Sequence, residues 1–206
     1  MNQPPLEIIT IEQPDAASIL KIKSAAVSFP LSADDRTLID AMKNKLFQLG
    51  GVGLAAPQVK QNKQIIAIYI PEDAALLRNN VQTYPMHIMI NPWYEVIQET
   101  ETVYDFEGCY SVHNKAGKVP RYQAIQLTYQ DEDGLSHTQK AEGFYARVLQ
   151  HEIDHLNGIL IIDRLTADCV QGSFEEMMAM RRSELSPERR LKFDQLIAKK
   201  RIKDDE

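Results

Sequence analysis

The sequence predicts an α+β protein, on three observations. Apolar residues recur at helical spacing over residues 34–49 and again around residue 150. The middle of the chain is made of short apolar or alternating runs divided by turn residues. Strands therefore dominate the centre and helices frame it. At 206 residues and 44% hydrophobic, the chain is expected to form one domain around one sizeable core.

The elements follow in order. The stretch DDRTLIDAMKNKLFQL (34–49) puts Leu38, Ile39, Met42, Leu46 and Leu49 on one helical face, and Gly50 and Gly51 stop it. KQIIAIYIP (63–71) reads as a buried strand ended by Pro71. HIMINPWYEVI (87–97) reads as another, broken at Asn91 and Pro92. YQAIQLTYQDEDGLSHTQKAEG (122–143) alternates around Asp133-Gly134, a hairpin signal. A helix is expected from Gly143 to Asn157, with Gly158 suited to the position just past its end. Beyond ILIID (159–163) the chain is polar and helix-prone, and Ser186-Pro187-Glu188 reads as an N-cap followed by proline in the first helical position.

Composition narrows the class. A formal charge of −6 argues against DNA binding. No apolar run approaches the roughly 18 residues that a membrane span requires. The opening MNQPPLEIITIEQPDAAS has neither a secretory nor a transit pattern, and Cys109 and Cys169 make no disulfide framework. A cytoplasmic location is expected.

The chemistry gathers at QHEIDHLNG (150–158). Residues four apart on a helix are neighbours, so His151 and His155 can reach one ion. Glu152, rotated by about 100° from His151, falls beside a metal-bound water. Chance gives H-E-x-x-H in roughly one sequence of this composition per hundred, and apolar flanks at Val148, Leu149, Ile153 and Leu156 bury the motif.

A third ligand has three candidates. The pattern H-E-x-x-H-x-x-G-x-x-H fails, because Ile161 occupies the last slot. Glu175 in GSFEEMMAM lies at the distance expected of a glutamate ligand on a downstream helix, which would make an endopeptidase; a solvated helical face explains the same acidic segment. Cys109 in DFEGCYSV offers a thiolate, and a thiolate with two imidazoles leaves a position open for water. Gly108 permits close backbone approach, and the N–H of Tyr110 can face a reacting carbonyl. The loop GGVGLAAPQV (50–59) lacks a phosphate-loop pattern, but its Gln58 can donate to a developing oxyanion.

GVGLAAPQ (51–58), EGCYS (107–111) and QHEIDH (150–155), in that order, resemble the three motifs of the peptide deformylases. The resemblance covers roughly residues 6 to 165 and includes VPR at 119–121. It implies mostly antiparallel sheets packed around a central metal-bearing helix, and removal of the formyl group from the N-terminal formyl-methionine of nascent polypeptides. Carried over, Cys109, His151 and His155 hold one divalent metal ion, Fe2+ first, with Zn2+ or Ni2+ able to replace it. Glu152 becomes the general base and acid, Gln58 and the Tyr110 N–H the oxyanion hole, and Val52, Gly53 and Val148 line the methionine pocket and peptide strand.

Departures are few. Tyr110 stands where relatives often have leucine, PDAASILK (14–21) matches an early motif only loosely, and residues 72–88 form an extra polar stretch. Residues 1–165 are expected to be the catalytic domain and 166–206 a helical extension of it. From Arg181 to Lys203 nine Lys or Arg meet three Asp or Glu, either a solvated face or a helix that docks to ribosomal RNA, as some deformylases are thought to do. A non-catalytic metal-binding module is the remaining alternative, and Glu152 and Gln58 weigh against it, since binding a metal needs neither.

Overall fold

The computed structural model describes residues 6–72, 74, 78 and 82–204. Two helices come first: the single turn α1 (Ala17–Leu20) and the long α2 (Ala33–Leu49). Three elements follow, β1 (Gly53–Ala55), a 3-10 turn (Ala56–Val59) and β2 (Ile65–Ile70). The middle holds β3 (Tyr84–Val96), β4 (Thr102–Cys109), β5 (Val112–Tyr122), β6 (Ala124–Gln130) and β7 (Ser136–Glu142). The rest is α3 (Gly143–Leu156), α4 (Ile161–Arg164), β8 (Gln171–Gly172), α5 (Phe174–Glu184) and α6 (Pro187–Asp204). No helix of the described residues is long and apolar enough to cross a membrane.

The strands form two antiparallel sheets, one ordered β1-β2-β3-β6-β7 and one ordered β4-β5-β8. The α+β expectation holds. β2 explains its own apolar run: Ile66, Ile68 and Ile70 pack toward α3, while Ile65 and Ala67 pack toward α2. A strand covered on both faces has no polar face to show.

α2 starts in a reciprocal cap. Ser32 Oγ accepts from the Asp35 N–H at 3.1 Å, and the Asp35 carboxylate accepts from the Ser32 N–H at 3.1 Å. Leu38, Ile39, Met42 and Leu46 are buried as expected, whereas Leu49 is only half-buried. Gly50, at φ 59°, closes the helix.

Asn91 and Pro92 do not break their strand. Asn91 takes φ 50° at a register shift between Ile90 and Trp93, so β3 bulges and continues. The Asn91 side chain braces the bulge, accepting from the Val27 N–H at 2.8 Å and donating to the Val27 carbonyl at 2.9 Å. The Asp133-Gly134 hairpin forms, with Gly134 at φ 85° and Asp131 Oδ1 accepting from the N–H groups of Asp133 and Leu135. Part of the extra polar stretch at 72–88 lies outside the described residues, and its end is the start of β3.

β4 and β5 had no strand signal, yet they pair from Thr102 with Tyr122 down to Cys109 with Val112. A register shift between Glu107 and Cys109 sets Cys109 at the turn end of that ladder. The C-terminal elements lean on this sheet: β8 pairs with β5, and Met177 of α5 is buried against Phe106 and Ala116. α6 begins at Pro187 behind Ser186, as the sequence indicates.

α3 is buried on nearly every side. It ends at Gly158, whose φ of 72° is left-handed and whose missing Cβ would sit 2.6 Å from the Lys21 carbonyl carbon. Just beside it, the Ser24 N–H donates to the Leu156 carbonyl at 2.8 Å. Gly158→Ala is therefore expected to lose more than the about 1 kcal/mol of a left-handed penalty alone. Unfolding in denaturant measures this, and an unchanged midpoint would contradict the close approach.

Candidate active site

α3 carries His151, Glu152 and His155 into the space between the two sheets, and the end of β4 brings Cys109 to meet them. Cys109, His151 and His155 each offer a ligand atom within 4.8 Å of the other two. Cys109 Sγ lies 3.3 Å from His155 Nε2. His151 Nδ1 is 2.9 Å from Glu107 Oε2, which orients the ring and leaves its Nε2 for a metal. Burial and the neighbouring His151 charge push His155 well below the ordinary imidazole value, toward the neutral form that ligates. Burial opposes charge on His151 too, but bonds to Cys109 and Glu107 outweigh it and raise its pKa.

The donor set fits a divalent transition metal: one thiolate, two imidazoles and a fixed tautomer. Glu175 takes no part in that group; it is exposed on the first turn of α5.

Glu152 is buried beside the ligands, and burial pushes its carboxyl up to about 7. One of its oxygens makes no hydrogen bond among the described residues, so an acceptor is held ready for a proton. Gly53 of β1 allows this placement, because a Cβ there would lie 2.2 Å from Glu152 Oε1.

The 3-10 turn presents Gln58, 1% exposed, with its amide aimed. Its Oε1 accepts from the Ala55 N–H at 2.9 Å, so Nε2 points to Ser111 Oγ at 3.3 Å and Cys109 Sγ at 3.8 Å. The extended N-terminal segment ties these parts together: the Ile9 N–H donates to the Gln58 carbonyl and the Ile11 N–H to the Ser111 carbonyl. Tyr110 lays its ring over Gly51 and donates its hydroxyl to the Leu49 carbonyl at 3.3 Å. Val148 is buried in the core under α3, and half-buried Val52 packs on that core.

Sequence reasoning gave no role to the charges behind the ligands. Arg121 grips Glu107 with two bonds of 3.0 Å, and Arg147 adds a third of 2.6 Å. Arg121 also pairs with Asp154, which Arg164 holds from the other side at 2.5 and 2.9 Å. Glu107, Arg121 and Asp154 lay inside EGCYS, VPR and QHEIDH without a role of their own, and Arg147 lay unremarked in the helix.

Comparison with known proteins gives the family. The family model described as polypeptide deformylase matches residues 5–170. The chain belongs to the polypeptide deformylase family. Peptide deformylase 2 of Rickettsia conorii is 37% identical over 187 residues, covering 89% of this chain and 91% of that one. The peptide deformylase of Orientia tsutsugamushi is 40% identical over 166 residues, covering 78% and 87%. Among solved structures, the class I type b peptide deformylase from Acinetobacter baumannii bound to actinonin superposes with TM-score 0.67 at 32% identity, covering 80% of this chain and all of that one. Its complex with Met-Ala-Ser matches equally well, with TM-score 0.67. Like these deformylases, the chain is an enzyme of a metal-dependent family, and β8, α5 and α6 all lie beyond the family match.

The buried charges give a stability prediction. Burial pushes the Glu107 carboxyl up, but the Arg121 charge and the bonds from His151 and Arg121 win and hold it far below its ordinary 4.5. The unfolded chain therefore binds more protons near and below pH 4.5, so the contribution of Glu107 is complete above that pH and drains away as pH falls below it. Glu107→Gln, which leaves arginines buried without their carboxylate, is expected to cost about 3–5 kcal/mol at neutral pH. Denaturant unfolding of both proteins across the acid range should show the gap narrowing; a gap independent of pH would refute the assignment.

Proposed function

We propose that Cys109, His151 and His155 hold one divalent metal ion and that Glu152, Gln58 and the Tyr110 N–H carry out the deformylation around it. The reaction is hydrolysis of the N-formyl group of formyl-methionine at the start of nascent polypeptides, with release of formate. The observation that carries this reading is the convergence of three ligand atoms beside a buried, unpaired glutamate oxygen.

When bound, the ion lowers the pKa of water and polarises the formyl carbonyl. Glu152 removes the proton from the attacking water and later delivers it to the departing amine, a task suited to a carboxyl poised near 7. Gln58 Nε2 and the Tyr110 N–H donate to the carbonyl oxygen as charge builds on it. Val52, Gly53 and Val148 form the wall for the methionine side chain and the peptide backbone. The Met-Ala-Ser complex of the Acinetobacter enzyme supports a short peptide as ligand. Fe2+ is the ion we favour, with Zn2+ or Ni2+ as replacements, and the cytoplasm is the compartment.

Residues 1–165 would then be the catalytic domain and 166–206 an extension of it, a division supported by the β8 pairing and the burial of Met177. The basic segment from Arg181 onward would contact ribosomal RNA. Ribosome co-sedimentation should weaken with salt and fall on deletion of residues 181–206; unchanged binding by the truncated protein removes the tail from that role.

The assay pairs metal analysis with formate release from formyl-Met-Ala after anaerobic purification. Cys109→Ala should lose both metal and activity, while Glu175→Ala should keep both. Gln58→Ala should keep its metal and lose about 10²–10³ in turnover. Metal loss in Glu175→Ala instead, with no formate from the wild type, would overturn the ligand set and favour the endopeptidase reading.

A further inference from the structure

Two strands reach the reaction centre from separate sheets, and each is an edge. β1 begins the order β1-β2-β3-β6-β7 and β4 the order β4-β5-β8, so neither has a strand on its other side among the described residues. β1 brings Gly53 against Glu152, and β4 brings Cys109 against His155. An extended peptide can lay its backbone along such an edge, and its side chains then alternate between the two faces of the sheet.

The two faces of β4 are different environments. Glu107 and Cys109 point toward α3, where they meet His151 and His155. Phe106 and Gly108 point toward α5: Phe106 packs with Met177, and a Cβ on Gly108 would lie 3.1 Å from the Phe174 ring. With no side chain at position 108, that ring is the surface this face offers beside Cys109.

Phe174 is held firmly in that place. It opens α5 directly after Ser173, whose Oγ accepts from the Glu176 N–H at 3.2 Å while the Glu176 carboxylate accepts from the Ser173 N–H at 2.8 Å. Just before the cap, Gly172 pairs with Ala116 of β5. Anchoring of the helix falls to Met177, 3% exposed, whereas Phe174 stays 48% exposed. Single exposed aromatics are common on protein surfaces. This one is fixed by its neighbours, half-bare, and next to the residue that brings a thiol to the site.

We propose that Phe174 is a specificity-determining residue that contacts the side chain of the peptide residue following the formyl-methionine. The proposal rests on the deformylase reading of the site, in which the methionine side chain enters the α3 face beside Val148. The next side chain then turns to the opposite face of β4 and meets the ring. Exposed Glu175 and Glu176 follow Phe174 in the chain. The contact therefore favours aromatic and large apolar side chains and disfavours aspartate.

Formate release from formyl-Met-Phe-Ser, formyl-Met-Ala-Ser and formyl-Met-Asp-Ser tests this, with full-length, metal-loaded wild type and Phe174→Ala side by side. In the wild type, kcat/KM for the phenylalanine peptide should exceed that for the alanine peptide by roughly three- to tenfold, with the aspartate peptide lowest. In Phe174→Ala the preference for phenylalanine over alanine should disappear. Calorimetric binding of the product peptides Met-Phe-Ser and Met-Ala-Ser should show the same preference and the same loss. Should Phe174→Ala fold poorly, Phe174→Leu keeps an apolar contact without the ring and should show an intermediate preference. The inference alone fails if the wild type releases formate from all three peptides without preference, or if the preference survives undiminished in the folded variants. No formate from any of the peptides would overturn the deformylase reading and this inference with it.

Discussion

Everything in the active site hangs on the buried carboxylate of Glu107. It accepts from Arg121, Arg147 and His151 at once, so β4, β5 and α3 are joined through a single group. Asp154 repeats the arrangement one turn further along, sharing Arg121 and adding Arg164 of α4. Charges this deep are tolerable only with all partners in place. The network is therefore an alignment device: the β4–β5 pair and α3 can pack together in only the register that pairs it. Cys109 is two residues from Glu107, and His155 is next to Asp154. The ligands inherit their positions from the ion pairs behind them.

The helix itself shows why this was needed. α3 is buried nearly all round, which an apolar helix would satisfy by packing alone. This one carries Arg147, Gln150, Glu152, Asp154 and His155 into the interior, and the neighbours answer most of them. Gln150 accepts from the Tyr122 N–H and donates to the Tyr122 carbonyl, standing in for a strand partner on the edge of β5 away from β4. Arg147 donates to the carbonyls of Val119 and Val103 as well as to Glu107. The Glu152 oxygen left over is the one assigned to proton transfer.

Much of this was legible in the sequence, for local reasons. The period of α2, the turn chemistry of Asp133-Gly134, the left-handed position of Gly158 and the two histidines all act within a few residues of themselves. What was hidden depends on partners far along the chain. β4 and β5 read as irregular because their polar residues are satisfied by α3 and α5 and do not alternate toward solvent. Arg147 looked like any arginine on a helix, since only Glu107, 40 residues away, gives it a role. Asn91 looked like a strand breaker because its brace, Val27, lies 64 residues earlier. Gly53 was placed only by resemblance, as lining the substrate pocket, while the room it leaves for a carboxylate 99 positions later could not be read.

The separation of 46 positions between Cys109 and His155 has a consequence for the birth of the enzyme. During vectorial synthesis the cysteine leaves the exit tunnel well before the helix that completes its ligand set. For that interval it is an ordinary thiol on an unfinished sheet, with neither histidine to share a metal. A chain stalled or cleaved within that window would carry the sulfur without its protection. If Cys109 is a metal ligand, oxidants and thiol-reactive compounds have a target in the immature protein that metal binding withdraws, and a cell's redox balance then bears on how many copies finish as active enzyme.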